Sequence, residues 1–350
     1  MFIGVCGYGS TGSSTVSDYL KEFGDICVLD KLEFMLAFQP DGLVDLEFHV
    51  MHPHARITDS IFAMDRFRTM MKRNKYLSIT TGIPRRDLLK MVDAFLDGIT
   101  QVSWLGRPWT AGGFWTKNLG DRILYLRIRP FLEKRFRFSW KGWPLARLPL
   151  SIAPGNFYGE ARLLVEKLLG KIGADFGKNI VMDQPFDAVN PVPCFPFFPD
   201  PVAIIVDRDP RDIYVFGKTK LREMRDNRFM PIDNPRDFAK YYRLLRYNRP
   251  SLLRDRRVLH LRFEDMVYDY DAATRKVREF LHLGDTPRPK SIFDPALSIA
   301  NTQVFKRFPQ FASEVAVIER ELPEFLFDFS RFPEPDFSGE MFFGKSPKNK

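Results

Sequence analysis

Apolar and polar positions alternate along this chain with two different periods. "FIGVC" (2–6) and "DICVLD" (25–30) are short, nearly unbroken apolar runs, the pattern of strands buried on both faces. Between them, "SSTVSDYLKEF" sets Val16, Leu20 and Phe23 at helical spacing, so the opening predicts a strand–helix–strand unit with parallel strands. Further buried strands are expected at 179–183 ("NIVMD"), in "PVAIIVDRDP" (201–210), which ends in charge, and in 256–265 ("RRVLHLRFED"). Helical periodicity predicts helices at 56–73, 85–99, 160–173, after Pro210, at 235–248, 272–283 and 309–321. Residues 31–55 read as polar and irregular, and 103–158 as a mixed region with a helix near 118–134. The expected fold is α/β: three layers, α/β/α, around a central parallel sheet. One domain over 1–335 would carry a helical and irregular insertion at about 56–158, followed by a flexible tail at 336–350.

Composition narrows this only a little. Apolar residues make up 45% and charged residues 28%, which is ordinary for a globular chain. The 34 phenylalanines call for large apolar surfaces, inside or at a partner. A net charge of +9 suits an anionic partner (a phosphate-bearing cofactor, an acidic glycan, nucleic acid or a membrane surface) or simply a solvated surface, and charge alone does not decide between them. Cys6, Cys27 and Cys194 are few, odd in number and widely spaced, so neither a disulfide framework nor a metal knuckle is expected. With no leader-like start and no apolar run of ~20 residues, the expected location is the cytoplasm.

The first candidate chemistry lies in "CGYGSTGSST" (6–15). It has the glycine spacing of a phosphate-cradling loop, between a strand and a helix, but serine stands at 13 where a nucleotide triphosphatase carries lysine. Backbone amides and the hydroxyls of Ser10, Thr11, Ser13 and Ser14 can still hold an oxyanion. A glycine turn with no ligand is the plainer alternative. In "AIIVDRDPRDIYVFGK" (203–218) a buried strand delivers Arg208 to its carboxyl end, where open α/β sheets bind ligands. Pro210 then opens a helix with Asp212 in its first turn. An arginine there can fork onto a phosphate, or can simply pair with a neighbouring carboxylate. "LHLRFEDMVYDYDAATRKVREFLHL" (259–283) reads by itself as scaffold.

In this order the three segments resemble the sulfotransferases that use 3′-phosphoadenosine 5′-phosphosulfate (PAPS), over about residues 1–35 and 179–284. The resemblance implies a P-loop-like sulfotransferase fold in which Gly9 to Ser14 grip the 5′-phosphosulfate and Arg208 grips the 3′-phosphate. Two positions depart from the family pattern. Ser10 stands where those enzymes usually carry Lys or Arg, and Phe216 stands where a serine usually joins the arginine. Lys31, Lys218, or Lys306 and Arg307 are the cations that could complete the site. The resemblance also calls for a base. Glu33, just after the second strand with Lys31 beside it, is the favoured one; His49, with Glu47 nearby, is the rival. Asp183, at a strand end, either orients substrate or caps the following turn.

The remaining signals are weaker. His49, His52 and His54 lack the partners of a metal site, and no metal is expected. "RFRFSWKGW" (135–143) interleaves cations with aromatic rings and suits a glycan surface, a membrane surface, an RNA, or a half-buried hairpin with solvated arginines. The expected activity is sulfuryl transfer from PAPS to a hydroxyl acceptor, with a carbohydrate as acceptor and nucleic acid not expected as partner. The alternatives are a P-loop kinase-like nucleotide enzyme and an inactive basic protein that binds glycan or nucleic acid on the same scaffold.

Overall fold

The computed structural model describes residues 1–53, 58–74, 81–106, 109–110, 113–114, 128–136, 146–221, 229–285 and 289–336. The chain divides into two compact units. One comprises Met1–Phe38 with Leu169–Lys350, the other Gln39–Leu168.

The first unit is built on five parallel strands: β1 (Phe2–Gly7), β2 (Ile26–Glu33), β5 (Asn179–Asp183), β6 (Pro201–Asp207) and β7 (Val258–Arg262). Their spatial order is β2-β5-β1-β6-β7. Helices flank this sheet in a three-layer α/β/α arrangement. β1 holds the centre because its apolar residues can face helices on both sides, and Phe2 to Cys6 are all buried. Gly4 keeps that strand thin: a Cβ there would meet the Phe186 ring at 2.4 Å. β1 pairs with β5 from Phe2↔Ile180 to Val5↔Asp183, and with β6 from Phe2↔Pro201 to Gly7↔Val206. The strand ends Gly7, Asp183 and Asp207 therefore share one edge of the sheet.

Helix α1 (Ser14–Leu20) buries Val16, Tyr19 and Leu20 on the strands. Helices α8 (Phe263–Tyr268) and α9 (Tyr270–Leu281) contribute Phe263, Met266, Val277 and Leu281 to the same core. A second core forms around α6 (Pro210–Phe216), α7 (Pro235–Leu244) and α10 (Ala312–Glu321), with Tyr214, Phe238 and Ile318 at its centre. α6 starts at Pro210 as expected, and the Asp209 side chain caps it by accepting from the Arg211 amide at 2.8 Å.

The second unit contains helices α2 (Leu43–Met51), α3 (Thr58–Arg73) and α4 (Arg85–Ile99), most of α5 (Phe157–Lys171), and an antiparallel pair, β3 (Val102–Gly106) with β4 (Ala146–Leu150). The rings of Phe67, Phe95 and Phe157 meet edge to face at 5.7 and 6.2 Å. Arg68 forks onto Asp93 through bonds of 2.6 and 2.9 Å. α2 lies where the hydropathy pattern predicted irregular chain. Leu43, Leu46 and Val50 form its buried face, a stripe obscured in the sequence by interleaved acids and histidines.

Most of the helix expected near 118–134 lies outside the described residues; Arg129–Phe136 is helical and forms α-helical chain at its end. The basic–aromatic stretch 135–143 also lies outside them beyond Phe136, as does the tail beyond Asp336. Among the described residues no helix is long and apolar enough to cross a membrane, and no group of His, Cys, Asp and Glu could hold a metal ion.

Candidate functional site

The carboxyl edge of the sheet is shaped first by the loop that leaves β1. Gly9 (φ 87°), Ser10 (φ 56°) and Gly12 (φ 78°) are left-handed, which for Ser10 is an unfavoured conformation held by its surroundings. Two glycines are needed for closeness. A Cβ on Gly7 would sit 2.2 Å from Thr11 Oγ1, and one on Gly12 would sit 2.6 Å from the Phe263 ring. Gly7 N–H donates to Gln184 Oε1 at 3.2 Å, and Thr15 Oγ1 donates to the Gly12 carbonyl at 2.8 Å. Thr11 is 2% exposed and its hydroxyl has no partner among the described residues. The amides of Gly9 to Ser13 donate to nothing among the described residues. The loop therefore presents hydrogen-bond capacity that the protein itself does not use.

Arg208 follows directly on β6 and lies against this loop. Its Nη1 donates to the Ser10 carbonyl at 3.2 Å and its Nη2 to the Asn301 carbonyl at 2.5 Å. Its guanidinium lies 5.0 Å from the Phe263 ring centroid, and its buried Nε–H has no acceptor among the described residues. The expectation that strands 2–6, 179–183 and 202–207 run parallel, with loop and arginine on one rim, is met.

Behind Arg208 the chain buries more charge than is usual. Asp207 receives Arg246 through contacts of 2.5–3.2 Å, the Tyr242 hydroxyl at 3.0 Å and the Arg208 amide at 2.8 Å. Burial pushes its carboxyl upward, but Arg246, the Arg208 amide and Arg249 outweigh this and hold it below the usual range. Asp209 binds Arg211 in a fork and accepts from the Phe327 amide at 2.8 Å. Burial lifts Asp212 to about 7 against the pull of Arg208, with Asp209 adding to the rise. Glu264 accepts from the Asp209 amide at 2.8 Å, and burial, then Asp209 and Asp212, raise it to about 8.

A buried acid raised this far binds a proton in the fold that the unfolded chain has already released. Glu264 therefore subtracts stability as pH rises from its unfolded value, ~4.3, toward 8 in the folded state, with a slope of up to ~1.4 kcal/mol per pH unit. Glu264→Gln keeps an oxygen for the Asp209 amide and removes the titration. Urea unfolding at pH 5, 6, 7 and 8 should show the variant gaining on the parent as pH rises. A gap independent of pH would mean that Glu264 titrates normally.

The other expected residues are dispersed. Glu33 ends β2 opposite Asp183, and Lys31 near it is exposed. Lys218 is already paired with Glu314 at 2.8 Å, and Lys306 with Glu334 at 2.9 Å. Arg307 has a buried Nη1 with no partner among the described residues. Ser13 caps α1 by position but not through its side chain, Ser14 is exposed, and Phe216 is buried. His49 belongs to the second unit, where Nδ1 meets Asp59 at 2.6 Å and ties α2 to α3; Glu47 accepts from the Tyr158 hydroxyl at 2.6 Å. Gln184 and Phe263 contribute to the loop's surroundings and carried no sequence signal beyond their places at a strand end and a helix start.

No family model matches the chain, and no curated protein matches it. The chain is similar to sulfotransferase domains of solved structure. One is the sulfotransferase domain from the curacin biosynthetic pathway, at 13% identity, covering 92% of this chain and 96% of that one, with a TM-score of 0.36. A second is the sulfotransferase domain from the Synechococcus PCC 7002 olefin synthase, at 13% identity, 86% of each chain and 0.36. A third is the sulfotransferase STF9 from Mycobacterium avium, at 15% identity, 93% of this chain, 76% of that one and 0.35.

Proposed function

We propose that this chain transfers a sulfuryl group from PAPS to a hydroxyl acceptor, a carbohydrate being the acceptor class. The observation that carries the reading is Arg208, buried against loop 7–14 with an unused Nε–H, beside a loop whose Gly9 to Ser13 amides and Thr11 hydroxyl are also unused among the described residues. One molecule with two phosphate-bearing positions suits both features, since an arginine and a row of amides each favour an oxyanion. Gly9 to Ser13 would hold the 5′-phosphosulfate and Arg208 the 3′-phosphate. With Lys218 and Lys306 paired elsewhere in the fold, Arg307 is the better candidate for the further cation. A triphosphate-using enzyme would lack its loop lysine here, because residue 13 is serine. The three free cysteines support a cytoplasmic setting.

Calorimetric titration with adenosine 3′,5′-bisphosphate tests this without knowledge of the acceptor. The expected result is saturable 1:1 binding, at least tenfold tighter than that of AMP, because the 3′-phosphate adds a charge-assisted contact worth ~1.5–3 kcal/mol. Equal affinity for the two nucleotides would overturn the reading.

A further inference from the structure

The proton released by the acceptor hydroxyl needs a destination, and the edge that carries Glu33 holds a second carboxylate. We infer that Asp183 takes that proton and that Glu33 acts through it as a positioning residue. This rests on the sulfuryl-transfer reading of the loop.

Asp183 is the last residue of β5, which lies between β1 and β2. Its neighbour Gln184 is left-handed (φ 48°) and accepts the Gly7 N–H, so Asp183 is one peptide away from a direct bond to the loop. Thr11 Oγ1, buried and unpartnered, crowds the same Gly7. Across the sheet the pairing jumps from Leu29↔Met182 to Glu33↔Asp183. Residues 30–32 bulge out, and the Phe34 amide then donates to the Asp183 carbonyl at 2.8 Å. This bulge brings Asp30 and Glu33 alongside Asp183.

The charged neighbours of Asp183 are mostly negative. Glu33 and Asp30 face it from β2, while the Cys6 thiol on β1, pushed well up by burial, stays neutral. Lys21, just after α1, is taken up by Asp30 at 2.5 Å and Asp18 at 2.7 Å. Among the described residues no cation pairs with Asp183. Burial first, then Glu33 and Asp30, raise its carboxyl to about 7, the range in which a general base works best at neutral pH. Glu33 is exposed and Asp183 is not.

In the step itself, the acceptor oxygen bonds to sulfur as the bond between sulfur and the bridging phosphate oxygen breaks. That electron pair leaves with adenosine 3′,5′-bisphosphate, and the acceptor proton passes to an Asp183 carboxylate oxygen.

Release of labelled sulfate from PAPS, with water as probe acceptor, reads this step. Asp183→Asn should slow it ~10²–10⁴-fold. Glu33→Gln should move the acid limb of the pH profile to lower pH, because one neighbouring negative charge is gone. Carboxyl ¹³C NMR of the aspartate-labelled full chain should place Asp183 near pH 7 in the parent and lower in Glu33→Gln. Asp183→Glu should recover part of the rate if Asp183→Asn fails through misplacement. The inference is overturned if Glu33→Gln takes the large loss while Asp183→Asn does not, or if Asp183 titrates near 4. Adenosine 3′,5′-bisphosphate binding separates the two proposals. If the parent binds it and the Asp183 results fail, only this inference falls; if the parent does not bind it, the transfer reading falls.

Discussion

Asp207→Ala should destabilise the protein by about 3–5 kcal/mol, the range seen when one partner of a buried ion pair is removed. The Arg246 side chain is 1% exposed and has Asp207 as its carboxylate partner, at contacts down to 2.5 Å. Tyr8 and Tyr242 present ring faces to it at 4.1 and 3.2 Å, and the Tyr242 carbonyl accepts one N–H, but none of these carries a full negative charge. Truncation would leave a guanidinium in the core and also strip acceptors from the Tyr242 hydroxyl and the Arg208 amide. The pH dependence has the opposite sign to that of Glu264. Asp207 is held low in the fold, so its contribution is full above its unfolded value of ~3.9 and is lost as pH falls through the lower folded value. Chemical denaturation at pH 7 and at pH 3 measures both effects: the gap between parent and variant should shrink in acid. A loss under 1 kcal/mol at pH 7 would show that the Arg246 charge reaches water.

Arg208→Ala should weaken adenosine 3′,5′-bisphosphate by roughly tenfold or more, while AMP, which lacks the 3′-phosphate, changes little. The structure adds a competing possibility. Both terminal nitrogens of Arg208 already hold main-chain carbonyls, Ser10 in the loop and Asn301 in the chain after α9. If that cross-link is all the residue does, the loop loosens and both nucleotides lose affinity equally. Calorimetry with the two ligands on the parent, Arg208→Ala and Arg208→Lys decides between them. The lysine variant keeps the charge but not the fork, and should recover only part of the bisphosphate affinity.

These variants test residues that were legible in the sequence to different degrees. Loop 7–14 and Arg208 are legible as neighbours, because a buried strand, a glycine turn and a parallel-sheet edge constrain position strongly. Glu33 was placed just beyond its strand and is instead the strand's last residue, since a bulge at 30–32 lengthens β2 without lengthening its pairing. Helix α2 was missed because its apolar stripe is thin, with Leu43, Leu46 and Val50 set among polar residues. Lys218 and Lys306 are read from the sequence as cations that could complete the site, and tertiary contacts give each a carboxylate distant in sequence.

By itself the sequence determined the strand–loop–helix opening, the buried strands and the start of α6 at Pro210. Each depends on local backbone preference and on the period of apolar residues, and both are properties of neighbouring positions in the chain. Only the tertiary structure decided which polar groups are spent and which remain. It set Arg208 against the loop, left Thr11 without a partner, committed Lys218 and Lys306 to ion pairs, and put Asp183 beside Glu33. Charges and hydrogen-bonding groups take their partners from whatever the fold brings within about 4 Å, and no local pattern encodes that choice.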